Sequence, residues 1–501
     1  MIRDLSPGKK MKILDIPIIN RLLNYSWGSF INKFLIFLLL PVISHALKPE
    51  EYAVYSILLL FASIAGHFFQ MGLHQSLMTL YYQQPDNNAK KTLISTTWRA
   101  VGVNSLIMTG VILLLRQPLG SLLINSSQNF GMLVSLTALM VFLDVFYSLT
   151  LVLLNIRHQA REYAILSLTR NLVTLAGVLL LSICKCLNIN TFFYIIVAAS
   201  FISLLHSLYF FKGIWRELSD GISEYIHFSF PLFKTILRFG IFMVPATFAV
   251  ISLQSADRYM LNLLSARTLY DAGIYAIAYK IGMIMSLFTV IFDLLFFPYI
   301  MQEKNLKLVK EKLRMLFSFY SFSGTLIAVV IILFSREIFL VLDSSYQEGA
   351  ALVFFGVISM YLRGMSNILV LGFYILKRSE VIALVSVLAA IINIILNWLW
   401  IPHYGISGAG FASIIAYFLI VAFNFITVER AFKSNYKAGW IAVSLLIIMA
   451  VSYFNYVHSE ISLSYFAIKL GFSLFIVFLG YLYIKRKGYL DYLLNKIRQQ
   501  I

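Results

Sequence analysis

Ten ionisable side chains interrupt stretches of this sequence that are otherwise apolar enough to cross a bilayer. Seven are basic: Lys33, Arg99, Arg170, Arg258, Lys280, Arg363 and Lys469. Three are acidic: Asp144, Asp257 and Asp293. A charge at the bilayer centre costs about 3 kcal/mol or more, so such a group faces a partner or a wet cavity. The surplus is cationic, which suits an anionic ligand. Arg grips phosphate through a planar two-donor fork, and Lys acts as a point charge. The chemistry this implies is recognition and movement of an anion, with no bond made or broken.

Position sorts these residues. Lys33 in the first span, Asp144 in the fourth and Arg363 in the tenth sit mid-span. Lys33 and Arg363 are read as facing a cavity. Lys280 and Lys469 have stems long enough to carry the charge to an interface. Arg99 and Arg170 lie within about two turns of a span end, where the same escape is open to them. Asp144 has no long stem, and both a structural salt bridge and an ion-coupling role remain open to it. Asp257 and Arg258 are neighbours and point about 100° apart on a helix, so they pair poorly with each other. An Asp257–Lys280 bridge across the following turn is expected, leaving Arg258 free for the cavity. Asp293 reads as a rim residue. His67, Gln70 and His74 make a polar stripe on the second span, either a hydrogen-bonded seam or a site of proton coupling.

Other chemistries find little support. Cys184 and Cys186 are the only cysteines, too close in sequence to bridge well and too few to hold a metal. No G-x-x-x-x-G-K-[ST] loop is present for a nucleotide. No cofactor or metal is therefore expected. A membrane-embedded glycan polymerase or acyl transferase would need a long external loop or a clustered His/Asp set, and neither is found.

The elements that carry these charges are apolar helices. The 501 residues are 60% hydrophobic and only 12% charged, an all-α, polytopic membrane composition. Spans are expected near 24–46, 53–80, 97–116, 131–155, 163–184, 191–211, 238–264, 273–300, 314–334, 348–376, 381–401, 406–428, 438–457 and 464–484. Of the 40 basic residues, 28 fall in alternate gaps and tails, from Arg3 to Arg498, and 5 fall in the opposite gaps: Lys48, Arg116, Lys185, Arg267 and Arg336. That asymmetry places both termini in the cytoplasm. The net charge of +18 is divided among short loops, so membrane lipids rather than nucleic acid are the expected partner. The basic N-terminal stretch leads into an apolar run too long for a signal peptide and is kept as the first span.

The halves echo each other. Glu51-Tyr52-Ala53-Val54-Tyr55 and Asp271-Ala272-Gly273-Ile274-Tyr275 place an acid, a small residue and a Tyr at matching offsets, 220 residues apart. Four parts are expected: a six-span lobe over 1–212, a connector over 213–237, a second six-span lobe over 238–430, and two added spans with a basic tail over 431–501. Parallel repeats of this kind put a substrate site between the halves near the midplane.

Several segments also resemble a known family. Leu47-Lys48-Pro49-Glu50-Glu51-Tyr52-Ala53-Val54-Tyr55 is similar to its L-x-P-x-E-[YF]-G-x-Y turn, with Ala53 in the usual Gly position. Gly72-Leu73-His74-Gln75-Ser76-Leu77 is similar to its G-L-x-x-A-L segment, and Phe239-Gly240 opens a segment ending at Pro245. Ser255-Ala256-Asp257-Arg258, Ala272-Gly273-Ile274-Tyr275, Pro298 and the run from Asn397 to Gly410 follow. The last reads physically as Pro402 ending one helix, Gly405 turning a tight external loop, and small residues packing the next. Together these segments resemble the Wzx-type polysaccharide-transporter branch of the MOP (MATE-like) superfamily over roughly the first 430 residues.

The resemblance implies two six-helix lobes around a central cavity and a flippase for an undecaprenyl-diphosphate-linked oligosaccharide, such as an O-antigen repeat unit, in a bacterial inner membrane. Lys33, Arg258, Lys280 and Arg363 would hold the diphosphate or acidic sugars, with Asp144 or Asp257 as ion-coupling or bridging groups. Polysaccharide polymerase and chain-length proteins would be further partners. A MATE-like cation antiporter is the alternative, but organic cations favour an acidic cavity.

Overall fold

The computed structural model describes residues 17–474 except 127, 219–227, 242–243, 302–304, 377, 458–464 and 472. Among the described residues every regular element is helical. The first group is α1 (Pro17–Ala46), α2 (Pro49–Gln70), α3 (Leu73–Leu80), α4 (Asn87–Leu114), α5 (Arg116–Leu123), α6 (Gly131–Ile156), α7 (Ala160–Ile183) and α8 (Ile189–Leu218). The second is α9 (Phe230–Ile241), α10 (Val244–Leu264), α11 (Thr268–Gly282), α12 (Met285–Met301), α13 (Leu306–Leu333), α14 (Ser335–Phe339), α15 (Val353–Ile375), α16 (Ser379–Phe432) and α17 (Gly439–Val457). Nine helices among the described residues are long and apolar enough to cross a membrane, or ten if α11 and the start of α12, bent by 41°, form one span. The protein is a multi-pass membrane protein.

Two places depart from straight crossings, for physical reasons. The second expected span is broken: Met71 and Gly72 both take left-handed backbone, at φ 50° and 68°. The carbonyls of Phe68 and Phe69 at this break accept from Asn104 Nδ2 at 2.9 and 2.8 Å. A broken helix survives in lipid when a neighbour satisfies its backbone in this way. The eleventh and twelfth expected spans join in α16, which reverses at Gly405 (φ 51°, ψ −128°). The break falls three residues after Pro402, at the glycine expected to turn the chain. The two arms fold back on each other, with Asn393 Nδ2 reaching Ser413 Oγ at 3.4 Å. Most of the last expected span, and the basic termini, lie outside the described residues.

Helices before residue 219 pack mainly on one another, as α1 on α7 and α6 on α8. Polar pairs fix these contacts: Asn32 bonds Ser167 at 3.1 Å and Asn171 at 2.9 Å, and Gln70 reaches Ser148 at 3.0 Å. Helices after residue 229 do likewise, with α16 on α10 and α15, and α17 on α13. The two groups meet along two seams, α2 against α10 and α11, and α3 and α4 against α9, and also where α1 lies against α12. At the first, a Cβ on Gly273 would strike the Pro49 carbonyl. At the second, a Cβ on Gly72 would strike the Gly240 backbone. Glycine is needed where two backbones approach this closely. Ser76 Oγ also donates to the Ile236 carbonyl there, at 2.8 Å. The segments singled out in the sequence thus meet in pairs at the seams.

Candidate functional site

The predicted residues are carried by α10, α11 and α15 of the second group and by α1 and α6 of the first. Lys33 lies on α1, but its side chain falls outside the described residues. Asp257 is 2% exposed on α10. Its carboxylate accepts from Tyr275 Oη at 2.8 Å, Asn397 Nδ2 at 2.7 Å and Ser413 Oγ at 2.5 Å. The expected Asp257–Lys280 bridge is not formed. Three uncharged donors from α11 and from both arms of α16 occupy the carboxylate instead. Sequence reasoning missed Asn397 and Ser413, because their partner lies 140 and 156 residues away.

Lys280 turns toward the first group. Its Nζ sits 3.4 Å from Tyr52 Oη, and 5.8 Å from the ring centres of both Tyr52 and Tyr55 on α2. Two rings beside one ammonium supply cation–π attraction without neutralising it. Arg258 lies over the Tyr279 ring, with its Cζ 5.8 Å from the centroid. Its Nε is buried and finds no acceptor among the described residues. Arg258 and Lys280 therefore share one wall of tyrosines contributed by α2 and α11, at the first seam. Arg363 is half-buried on α15.

The acids nearby leave these cations unbalanced. Asp144 is engaged by Arg170, Oδ2 to Nη1 at 2.7 Å, joining α6 to α7. The pair gives Arg170 a partner in the helix bundle. Asp293 accepts from Asn367 Nδ2 at 2.8 Å and lines a cavity of about 240 Å³ with Phe292, Phe296 and Tyr374. Lys469 is 3% exposed and bonds Glu337 on α14 at 3.0 Å. Among the described residues, Arg258, Lys280 and Arg363 form no salt bridge.

The histidine stripe is altered by the break at Met71–Gly72. His67 Nδ1 bonds the Ser63 carbonyl at 2.8 Å, and the two rings meet edge to face, 6.2 Å apart. His74 Nδ1 is buried without a partner among the described residues. No group of three or more His, Cys, Asp or Glu side chains among the described residues could hold a metal. Cys184 and Cys186 are exposed and unbridged.

Solved structures share this fold. The lipid II flippase MurJ in an inward closed conformation superposes with a TM-score of 0.65 at 14% identity, covering 94% of this chain and 100% of that one. An inward-facing MATE multidrug-resistance transporter of the MOP superfamily gives 0.61 at 14% identity, over 84% and 98%. A MOP superfamily transporter from Pyrococcus furiosus, whose binding pocket of reversed polarity suggests a different function, gives 0.54 at 13% identity, over 85% and 100%. At such identities the likeness shows the fold alone, which is that of transporters and flippases. No curated protein matches the sequence. The model of one family, polysaccharide biosynthesis protein, matches residues 22–304, more than half of the chain, and the protein belongs to that family.

Proposed function

We propose that the protein is a flippase that moves an undecaprenyl-diphosphate-linked oligosaccharide across a bacterial inner membrane by alternating access of two lobes, 1–212 and 238–430. The observation that carries this reading is the tyrosine wall shared by Arg258 and Lys280, cations without a salt bridge among the described residues, to which Arg363 is added on its place mid-span in α15. Two Arg forks and a Lys suit a diphosphate, and the tyrosines offer faces for sugar rings. Lys33 joins the substrate-binding set on its position in α1. Asp257, fully hydrogen-bonded by neutral groups, is the candidate for ion coupling. The basic loops and both termini face the cytoplasm, and an O-antigen or similar repeat unit is the cargo. A polymerase and chain-length proteins receive it.

The MATE-like reading, a cation antiporter, shares the fold. It has less support here, because Asp144 already carries an Arg and the charges without a salt bridge at the tyrosine wall are cations.

Gene deletion followed by complementation tests the proposal. Loss of surface glycan, with finished lipid-linked units trapped on the cytoplasmic face, is the expected phenotype. Arg258→Ala, Lys280→Ala and Arg363→Ala should each restore less than about a tenth of export, since a charge-assisted contact contributes about 1.5–3 kcal/mol. Normal glycan together with raised sensitivity to cationic drugs would instead favour the antiporter.

A further inference from the structure

We propose that the cavity between α4 and α8 is a seat for the phosphate of an anionic phospholipid. It lies away from the tyrosine wall and goes beyond the flippase reading. The cavity, of about 480 Å³, is lined by Trp98, Arg99, Phe211, Lys212, Trp215 and Arg216 among others. Three cations converge there, all exposed, and none forms a salt bridge among the described residues. The aromatic rings stack as a floor, with Trp98 to Phe211 at 4.1 Å and Phe211 to Trp215 at 5.9 Å.

A second, independent observation points to an acceptor. The indole Nε1 of Trp98 is buried and has no hydrogen-bond partner among the described residues. Indole N–H is a donor only, and leaving it buried and unpaired is costly. A phosphate in the cavity would meet the three cations together, and a small rotation of the indole would bring its N–H to a phosphate oxygen.

The helices leading away from the cavity fit the rest of a lipid. On α4, Arg99 is followed at helical spacing by Val103 and Leu106, both exposed. On α8, Arg216 and Lys212 are followed in the other direction by Tyr209 and Leu205, also exposed. Steps of three and four keep each set on one face. Each face therefore runs from cation to hydrocarbon, the shape of an amphiphile. A zwitterionic headgroup would bring an amine to three cations, whereas an anionic one brings only phosphate. Basic pockets between spans bind anionic headgroups for this reason.

Native mass spectrometry of the full-length protein in detergent tests the seat without any transport readout. Its failure is therefore separable from failure of the flippase reading. Phosphatidylglycerol, phosphatidylcholine and inorganic phosphate would be titrated in turn. We expect phosphatidylglycerol to bind at least tenfold better than phosphatidylcholine. That preference should fall roughly fivefold for each cation removed in Arg99→Gln, Lys212→Gln and Arg216→Gln. Trp98→Phe, which removes the N–H together with one of the two fused rings, should weaken binding of the anionic lipid. Equal binding of the two lipids would overturn the proposal, as would a triple variant that keeps the preference. Inorganic phosphate competing as well as the lipid, or a polyprenyl diphosphate displacing it at lower concentration, would also overturn it.

Discussion

At the scale of single residues, the structure separates charges held by partners from charges left for a ligand. Asp144 and Arg170 form a pair that is partly exposed within the helix bundle, and removing one member strands the other. Arg170→Met should therefore lower stability by about 1–3 kcal/mol, and the double variant Asp144→Leu/Arg170→Met should recover much of that loss, as coupled sites do. Thermal unfolding in detergent checks this, and strictly additive losses would show that the two side chains are independent. The sequence was a fair guide to which residues are charged within the membrane and a poor guide to their partners. Asp257 shows why. Its neighbours in the fold, Asn397 and Ser413, are uncharged and remote in sequence, whereas Lys280 drew attention because its charge was opposite and near. Lys280 spends its ammonium on tyrosine faces, a choice that charge counting does not anticipate.

At the scale of elements, the two seams explain why certain short segments stood out. Pro49 and Gly273 touch, and so do Gly72 and Gly240, each pair bringing together segments that were prominent in the sequence. The spacing of glycines was legible, but their pairing was not, because backbone contact between distant helices leaves no periodic trace. Gly273→Val should hold the α2–α11 seam open, since overpacking costs about 1–3 kcal/mol and the obstacle is backbone. With Cys184 and Cys186 replaced by Ser, a Ser56→Cys reporter lies one turn beyond Tyr52 and is buried. Its labelling by a polar maleimide should rise severalfold in the Gly273→Val background. Gly110→Val, where an added side chain meets nothing within 4 Å, is the control and should not change it. Equal labelling in both backgrounds would show that the seam tolerates the bulk.

At the scale of the whole molecule, composition and the long apolar runs made the helical membrane class readable, because a bilayer permits few other solutions. The break at Met71–Gly72 was not readable, because a run of apolar residues looks the same whether it crosses straight or kinks there, whereas the turn at Gly405 was legible from Pro402 and Gly405. Asn455 on α17 donates to the Ile332 carbonyl on α13 at 2.9 Å, and Lys469 reaches Glu337 on α14. Lys469→Met should lower the melting temperature by several degrees, because it leaves Glu337 with an uncompensated charge. Circular dichroism on heating measures this, and an unchanged transition would mean that the pair contributes nothing net.

The reach of Asp257 has a mechanical consequence. One carboxylate on α10 ties α11 through Tyr275 and both arms of α16 through Asn397 and Ser413. Four helical segments pinned at a single point resist relative rotation and travel as a solid block. Motion between the two groups of helices is then concentrated where α2 slides on that block, rather than dissipated inside it. Stiffness here is a property of one side chain. Asp257→Ala would soften the block, so that a push on one arm of α16 no longer arrives at the other.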